Sequence, residues 1–570
     1  IDAAREYGIP TERLSPAGLI QLGHGHKQRR FFQLTTDRTP LTAVAAAQDT
    51  ELAETLLKSV QVIDRDALQG DLYRLMIVDG RVAAAVLCAG AGETATTTDA
   101  MNRVGSDATK KAVAAAQVLG LDIAGVDVQA VDLRAPLIPQ KGGIVKIHAQ
   151  PDLATYLASP ELIAQTAKAI VDYLFPTDDD GRIPIACVTG VNGKTTTTRL
   201  LAQMVAGMGL KTGMTCTDGV FLGNERIEAA DCSGPKSARL ILRHPEMEAG
   251  VFEVARGGIL REGLGFDRAD VSIVTNIGEG DHLGINYIDT AEQLAYVKST
   301  VIDAVREQTG TAVLNAADPL TVGMQKYCRG KTTFFALDPQ NETIVAHRAA
   351  GGTAFFVRDN QVIAAEGEQE TPIIALTEVP LTRGGRIGFQ IENVLAATAA
   401  AWALKVPPHV LRAELRAFDS DMAQTPGRFN VLEKNGTTII LDYGHNPSAI
   451  VSLIASLDQF PHSSRTVVYG ADGDRSDEQI KRQAELLGDA FDRAILYEEP
   501  SRRRGREPNV CYTLLEAGLA KGKRVQATQR IDGEFAAIEA AIQAAKPGEL
   551  LLIQVDAVDA DLAFIERLLK

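Results

Sequence analysis

The stretch from Arg182 to Leu200, RIPIACVTGVNGKTTTTRL, carries residue types suited to holding a phosphorylated ligand. Ile183, Ile185 and Val188 belong to a β-rich apolar run, the turn VTGVNGK follows, and Thr195 to Leu200 open a helical pattern that continues through LLAQMVAGMG. That order is strand, phosphate loop, helix. Gly190 and Gly193 let backbone N–H groups approach an anion without Cβ interference, and the helix N-terminus adds partial positive charge. Lys194 is then placed to neutralise a β- or γ-phosphate, and Thr195 to hold Mg²⁺ through its hydroxyl. The spacing departs from the general phosphate-loop pattern, because Val188 stands where the first glycine is expected. Taken alone, the stretch also reads as a glycine-rich turn before an ordinary helix.

Further along, polar residues gather where apolar runs end, which is where sites in open α/β sheets lie. AGVFEVARGG puts Glu253 in a buried-looking strand, where its carboxylate needs a cation: Mg²⁺ on one reading, Arg256 in a structural ion pair on another. VSIVTNIGEGDHLG ends in Asn276, with Asp281 and His282 on the next loop; His282 is either a metal ligand or a locally hydrogen-bonded histidine. Lys298, in AEQLAYVKSTV, has the sequence context of a surface helix lysine. VLNAADP supplies amide and acid groups at the end of a strand, suited to a nucleotide base or ribose. FFVRDNQVIAA predicts a hairpin about Asp359 and Asn360, and RIGFQIENVLAATAAA a helix with Asn393 near its start. QTPGR is a turn presenting Arg428, and TTIILDYGHNP a β-run ending in Asp442, His445 and Asn446.

These positions must be held by several domains. The 570 residues, at about 150 per domain, predict roughly three or four. Hydrophobic content of 45% and charged content of 23% are ordinary for a soluble chain, and no apolar run reaches the ~20 residues that span a bilayer. A net charge of -15 argues against a general nucleic-acid binder. Six scattered cysteines indicate neither a disulfide framework nor a zinc site, so a reducing cytoplasm is expected. The chain begins with Ile1 and enters a helical pattern at once, so native N-terminal residues are expected to be missing. LYRLMIVDG, RVAAAVLCAG, DIAGVDVQAV and GGIVKIHA read as strands, ATKKAVAAAQVLG and PELIAQTAKAIVDYLF as helices. FPTDDDG, residues 175–181, marks a boundary. HGHKQRR, from His24 to Arg30, reads as a solvated basic loop rather than a metal or nucleic-acid site. Arg502, Arg503, Arg504 and Arg506 form a second basic run, either solvated or attractive to an acidic acceptor.

In order, VTGVNGKTTTTR, FEVARGG, NIGEGDHLG, LNAADP, QIENVLAATAA, TPGR, DYGHNP and GADGDRSD resemble the Mur ligase family, ATP-dependent ligases that join a carboxylate to an amine. TDGVFLGNERI, DCSGPKSARLILRHPEMEAGVFEVARGGILREGLGFDRADVSIV and LAYVKSTVIDAV bring the chain nearest to the cyanophycin synthetases among them. The resemblance implies a multidomain α/β fold: a Mur ligase-like central domain over 176–424 with the phosphate loop, an α/β C-terminal domain over 425–570, and a reduced, non-catalytic ATP-grasp-like α/β region over 1–175. It implies ATP phosphates and Mg²⁺ at Gly190, Asn192, Gly193, Lys194, Thr195 and Thr196, metal ligation by Thr195, Glu253 and His282, and Asn276 beside that metal. Asn315, Asp318 and Asn393 would contact the nucleotide, with Arg428 and Asp442 arriving from the C-terminal domain. His445, Asn446, Asp474 and Arg475 would line the substrate side, and Lys298 matches a lysine that some members carry as a metal-ligating carbamate.

The N-terminal region also resembles the cyanophycin synthetases, through GIPTERLSPAGLIQLGHGHKQRR, LYRLMIVDGRVAAAV, GLDIAGVDV and GGIVKIHAQPDL. The glycine-rich ATP-covering segment expected there is missing between Leu57 and Leu72, more is missing after about Arg103, and Lys146 and His148 stand where Glu and Asn Mg²⁺ ligands are expected. A cation at a metal site opposes binding of metal and triphosphate. The expectation is a single-site ligase that uses ATP and Mg²⁺ to attach arginine or another amino acid to a carboxylate of an aspartyl or cyanophycin-like acceptor through an acyl phosphate. Homo-oligomers are expected, and neither nucleic acid nor membrane as partner. A non-catalytic scaffold for an intact synthetase and a complete polymerase are the alternative readings.

Overall fold

Apolar strands buried on both faces and glycine-punctuated turns build the part of the molecule that carries the phosphate loop. The computed structural model describes residues 1–60, 67–89, 96–156, 158–176, 179–281 and 283–570. Two compact units divide the chain: Ile1–Ile183 with Arg243–Pro245, and Pro184–Leu242 with Glu246–Lys570.

In the first unit, strands β1 (Asp71–Val78), β2 (Arg81–Ala89), β3 (Thr96–Asp99), β4 (Ile123–Ala130) and β5 (Gly143–His148) form an antiparallel sheet in the order β3-β2-β1-β4-β5. Helices α1 (Ser106–Leu119) and α2 (Pro160–Leu174) pack on it through their apolar residues, α1 burying Ala108, Ala112, Ala115, Ala116 and Leu119. A smaller sheet of four short strands runs from Thr11 to Thr36. HGHKQRR lies in and beside it and is not a solvated loop. Lys27 pairs with Asp179 at 3.0 Å, and Gln28 Nε2 and Arg30 Nη2 both donate to the Arg243 carbonyl at 3.2 Å. Arg243 itself pairs with Glu12.

In the second unit, β6 (Ile185–Thr189) leads into helix α3 (Lys194–Ala206), followed by β7 (Thr212–Cys216), β8 (Ala249–Glu253), β9 (Val271–Val274), α4 (Ala291–Lys298) and β10 (Thr311–Asn315). These strands are parallel in the order β7-β8-β6-β9-β10, at the heart of an eleven-stranded sheet. Every residue of β6, β7, β8, β9 and β10 is buried, as expected of a sheet covered on both faces. The expected hairpin forms, with Asp359 and Asn360 at positive φ in its two-residue turn. The alanine-rich helix α5 (Gly388–Ala403) is buried from Val394 through Ala401, where small side chains let it lie against α3 and the sheet.

A second, six-stranded sheet follows. Arg428–Lys434 pairs antiparallel with β11 (Thr437–Asp442), and the order continues through β14 (Glu549–Gln554), β12 (Ser464–Tyr469), β13 (Arg493–Leu496) and Ala527–Arg530, all parallel. Helix α6 (Pro447–Leu457) follows β11 and α7 (Asp477–Ala490) follows β12. Each starts on a side-chain cap: Asn446 accepts from the Ala449 amide at 2.9 Å, and Ser476 with Gln479 forms a capping box.

Candidate active site

The phosphate loop spans the end of β6 to the start of α3, and its shape is set by close approaches. Gly190 has φ +147, and a Cβ there would lie 1.9 Å from Thr275 Oγ1; Gly193 has φ +80, and a Cβ would lie 2.2 Å from Asn393 Oδ1. Both glycines are therefore required by space as well as by backbone angle. The residues after β9 fasten the loop: the Val191 amide donates to the Asn276 carbonyl at 2.8 Å, the Asn192 amide to Asn276 Oδ1 at 2.9 Å, and Thr275 Oγ1 to the Asn192 carbonyl at 2.6 Å. Asn276 thus fastens the loop through both its backbone carbonyl and its side chain. Thr275 was not among the candidates, and its polar side chain at a strand end was the available signal.

Thr195, in the first turn of α3, donates its hydroxyl to Glu253 Oε2 at 2.9 Å. Glu253 ends β8 and is 2% exposed. Thr217, just past β7, completes its shell, with the amide on Oε2 at 3.0 Å and the hydroxyl on Oε1 at 2.9 Å. Thr217 too went unnoticed in the sequence. Arg256 opens the next helix, and its charged surroundings are Asp281, Arg475 and Asp474. Thr195 and Glu253 offer the hard oxygen donors that Mg²⁺ prefers, and a buried carboxylate held by three neutral donors is short of positive charge, so the pair fits that ion. His282 lies outside the described residues, and among the described residues no group of three His, Cys, Asp or Glu is placed to hold a metal.

Lys194 folds back, its Nζ donating to the Val191 carbonyl at 2.9 Å. Thr196 is buried beside it on α3. Lys298, at the end of α4, is 3% exposed and not a surface residue. Its Nζ donates to the Gly190 carbonyl at 2.9 Å and to Thr189 Oγ1 at 3.3 Å. Burial, then the nearby Lys194 charge, push its ammonium well below the ordinary lysine range. The surface context of its sequence failed because α4 turns that side against the loop.

The nucleotide candidates are structurally engaged. Asn315, at the end of β10, donates Nδ2 to the Thr275 carbonyl at 2.9 Å. Asp318 accepts from the amides of Ile277 at 2.6 Å and Gly278 at 2.9 Å and caps a helical turn through Leu320. Asn393, on α5, receives Thr197 Oγ1 at 3.4 Å and donates to Gln390.

The C-terminal sheet reaches the loop from the ends of β11 and β12. Asn446 Nδ2 donates to Asn192 Oδ1 and Asn192 Nδ2 to Ser448 Oγ, each at 2.8 Å. Asp442 accepts from the amides of Phe429 at 2.8 Å and Gly444 at 2.6 Å, and burial pushes its carboxyl up to about 6. Arg428 stacks on Tyr443, 4.6 Å from the ring centre, and lies 3.6 Å from Asp218. His445 donates its Nδ1–H to the Tyr443 carbonyl at 2.8 Å, and burial with the Arg475 charge holds its pKa down. Arg475 is 3% exposed and pairs through Nη1 with Asp281; Asp474 lies 3.9 Å from Arg475 Nε. Lys194 with Thr195, Glu253, Lys298, Asn446 and Arg475 thus come from five stretches to one region.

Residues 188–401 match the model of the Mur ligase middle domain, and residues 427–554 that of the Mur ligase glutamate ligase domain. The chain belongs to the Mur ligase family. In Mur ligase terms, the phosphate loop, Glu253 and Lys298 fall in the middle domain, and Asp442 through Arg475 in the glutamate ligase domain. The chain is 37% identical over 451 residues to a cyanophycin synthetase of Trichormus variabilis, covering 79% of this chain and 50% of that protein. It therefore spans about half the length of the cyanophycin synthetases it matches. A UDP-N-acetylmuramoyl-L-alanyl-D-glutamate--2,6-diaminopimelate ligase of Geobacillus kaustophilus is 28% identical over 418 residues, 70% of this chain and 79% of that one. The solved Escherichia coli FolC in complex with DHPP and ADP aligns over 67% of this chain and 89% of its own, with 19% identity and a TM-score of 0.49.

Proposed function

We propose that this Mur ligase is an ATP-dependent carboxylate–amine ligase that forms an amide through an acyl phosphate, attaching arginine or another amino acid to a carboxylate of an aspartyl or cyanophycin-like acceptor. The observation that carries the reading is the Thr195–Glu253 contact at 2.9 Å on the first turn after the phosphate loop. Thr195 and Glu253 would hold Mg²⁺, which would supply charge neutralisation for the triphosphate. Lys194 releases the Val191 carbonyl and turns to the γ-phosphoryl group, while loop amides and the start of α3 take the remaining phosphate oxygens. The acceptor carboxylate displaces ADP from the γ-phosphorus. The incoming amine then attacks the acyl carbon, and inorganic phosphate leaves with the C–O bond while the amine loses a proton. Asn446 and Ser448 against Asn192 keep water from that intermediate. Arg475, whose Nε and Nη2 are buried without a hydrogen-bond partner among the described residues, is suited to an oxyanion of the substrates.

In the same reading residues 1–175 form a reduced, non-catalytic region. Asp127 there is occupied by side chains of the chain itself: the Arg74 guanidinium holds both oxygens, at 2.5 and 2.9 Å, and His148 Nε2 lies 2.9 Å from Oδ2. Such a site opposes Mg²⁺ rather than recruiting it.

The test is phosphate release from ATP by the full chain with a panel of amino acids, with and without β-aspartyl-arginine or a short cyanophycin-like primer, followed by mass spectrometry. Release with one amino acid added to a side-chain carboxylate is the expected result. Binding of ATP with no release under any combination would favour the scaffold, and extension of the primer by aspartate the complete polymerase.

A further inference from the structure

Arg475 stands on the loop after β12, 3% exposed; Nη1 pairs with Asp281 and Asp474 lies 3.9 Å from Nε, while Nε and Nη2 have no hydrogen-bond partner among the described residues. Unspent buried donors are costly, so the backbone carrying them has to be held from outside. The turn Arg502–Arg506 holds it. The Gly473 amide donates to the Arg502 carbonyl at 2.9 Å, and a Cβ on Gly473 would lie 1.9 Å from the Arg503 carbonyl oxygen, so the two loops touch backbone to backbone. Arg502, itself 3% exposed, donates Nε to Asp472 Oδ1 at 3.0 Å, Nη1 to the Tyr497 hydroxyl at 2.7 Å and Nη2 to the Gly470 carbonyl at 3.2 Å. Arg506 reaches across from the other end of the turn. Its Nε donates to the Gly473 carbonyl at 2.8 Å, its Nη2 to the Arg475 carbonyl at 2.6 Å and its Nη1 to Asp477 Oδ1 at 2.6 Å.

We infer that Arg506, seated on the turn that Arg502 anchors, is a positioning residue for Arg475: its planar fork fixes the Gly473 and Arg475 carbonyls and so aims a guanidinium it never touches. Only a fork with several donors in one plane spans two carbonyls and a carboxylate at once; an ammonium on the same stem is a single point of attachment. The inference rests on the ligase reading for what Arg475 receives, and on geometry alone for how Arg475 is held.

The experiment compares the full-length wild type with Arg506→Ala, Arg506→Lys, Arg475→Ala and the double alanine variant, each checked for an unchanged circular dichroism spectrum. Hydrogen exchange of peptides covering 470–477 is the readout that does not need turnover. Arg506→Ala is expected to speed exchange there about tenfold or more, with Arg506→Lys between it and wild type and the remaining peptides unmoved. In the phosphate-release assay, Arg506→Ala should raise the KM of the same substrate as Arg475→Ala, about tenfold or more, with a smaller change in kcat. ATP, the amino acid and the acceptor are varied separately, so the KM that moves names which of them brings the oxyanion. Because Arg506 acts through Arg475, the double variant should be no worse than Arg475→Ala. Unchanged exchange at 470–477 in Arg506→Ala, or fully additive losses in the double variant, overturns the inference. Absence of phosphate release by wild type with every substrate counts against the ligase reading instead, and the exchange result still decides the positioning.

Discussion

Lys298 and Glu253 are buried ionisable side chains near one loop, and each is tolerated for a different reason. Glu253 is hydrogen-bonded by Thr195 and Thr217, whereas Lys298 is driven toward the neutral amine by burial and by Lys194. Replacing Lys298 by methionine removes a desolvated amine and keeps most of the volume. The melting temperature of Lys298→Met should stay within a few degrees of wild type, while phosphate release falls about tenfold or more; equal activity would mean that the amine serves only the fold. Lys194→Ala removes the charge that the ligase reading turns toward the triphosphate and leaves the core untouched. Its ligation rate should drop on the order of 10² or more with an unchanged melting curve, and near-normal turnover would remove Lys194 from the site.

At the scale of elements, the phosphate loop is a tight turn whose conformation depends on a second turn, after β9. Gly190→Ala would drive a methyl group into Thr275 Oγ1 at a φ that disfavours side chains. The expected outcome is ATP affinity weakened more than about tenfold, measured by calorimetry, together with a lower melting temperature. An alanine variant that binds ATP normally would show that the turn can open without cost. The basic run in the C-terminal sheet is likewise an element-level device: Arg502 and Arg506 are spent on the neighbouring loop and Arg503 on Glu498 at 2.9 Å, so the solvated reading holds only for Arg504, which is exposed. Residue type and spacing could not separate those cases, because a buried arginine and a solvated one are written the same way.

For the whole molecule, stability should depend on pH through carboxyls buried around the C-terminal sheet. Glu534 is pushed up to about 7, first by burial and then by the Asp561 charge, and burial pushes Asp561 up to about 6. The folded state then holds protons that the unfolded chain releases from about pH 4 upward, so this contribution to stability is lost as pH rises and is gone above about 7. Lys298 works with the opposite sign, since its folded form sheds a proton that the unfolded lysine keeps. The comparison is therefore between wild type and Glu534→Gln over pH 5.5 to 8: wild type should lose more stability than the variant on going to the higher pH. Parallel curves would place the Glu534 carboxyl in an ordinary range.

The sequence by itself determined the strand, loop and helix around Lys194, the Mur ligase family through its ordered motifs, and the hairpin at Asp359. Each rests on local chemistry: glycines at strained turns, alternating or helical apolar periods, and polar residues at strand ends. Only the tertiary structure decided that Lys298 is buried, that Asn276 and Thr275 brace the loop, that Thr217 completes the shell of Glu253, and that an arginine run holds Arg475. Those facts depend on which faces of distant segments meet. Periodicity says that a face is apolar or polar, but the parallel crossovers of both sheets bring together strand ends separated by tens to hundreds of residues, and desolvation there lowers the pKa of Lys298.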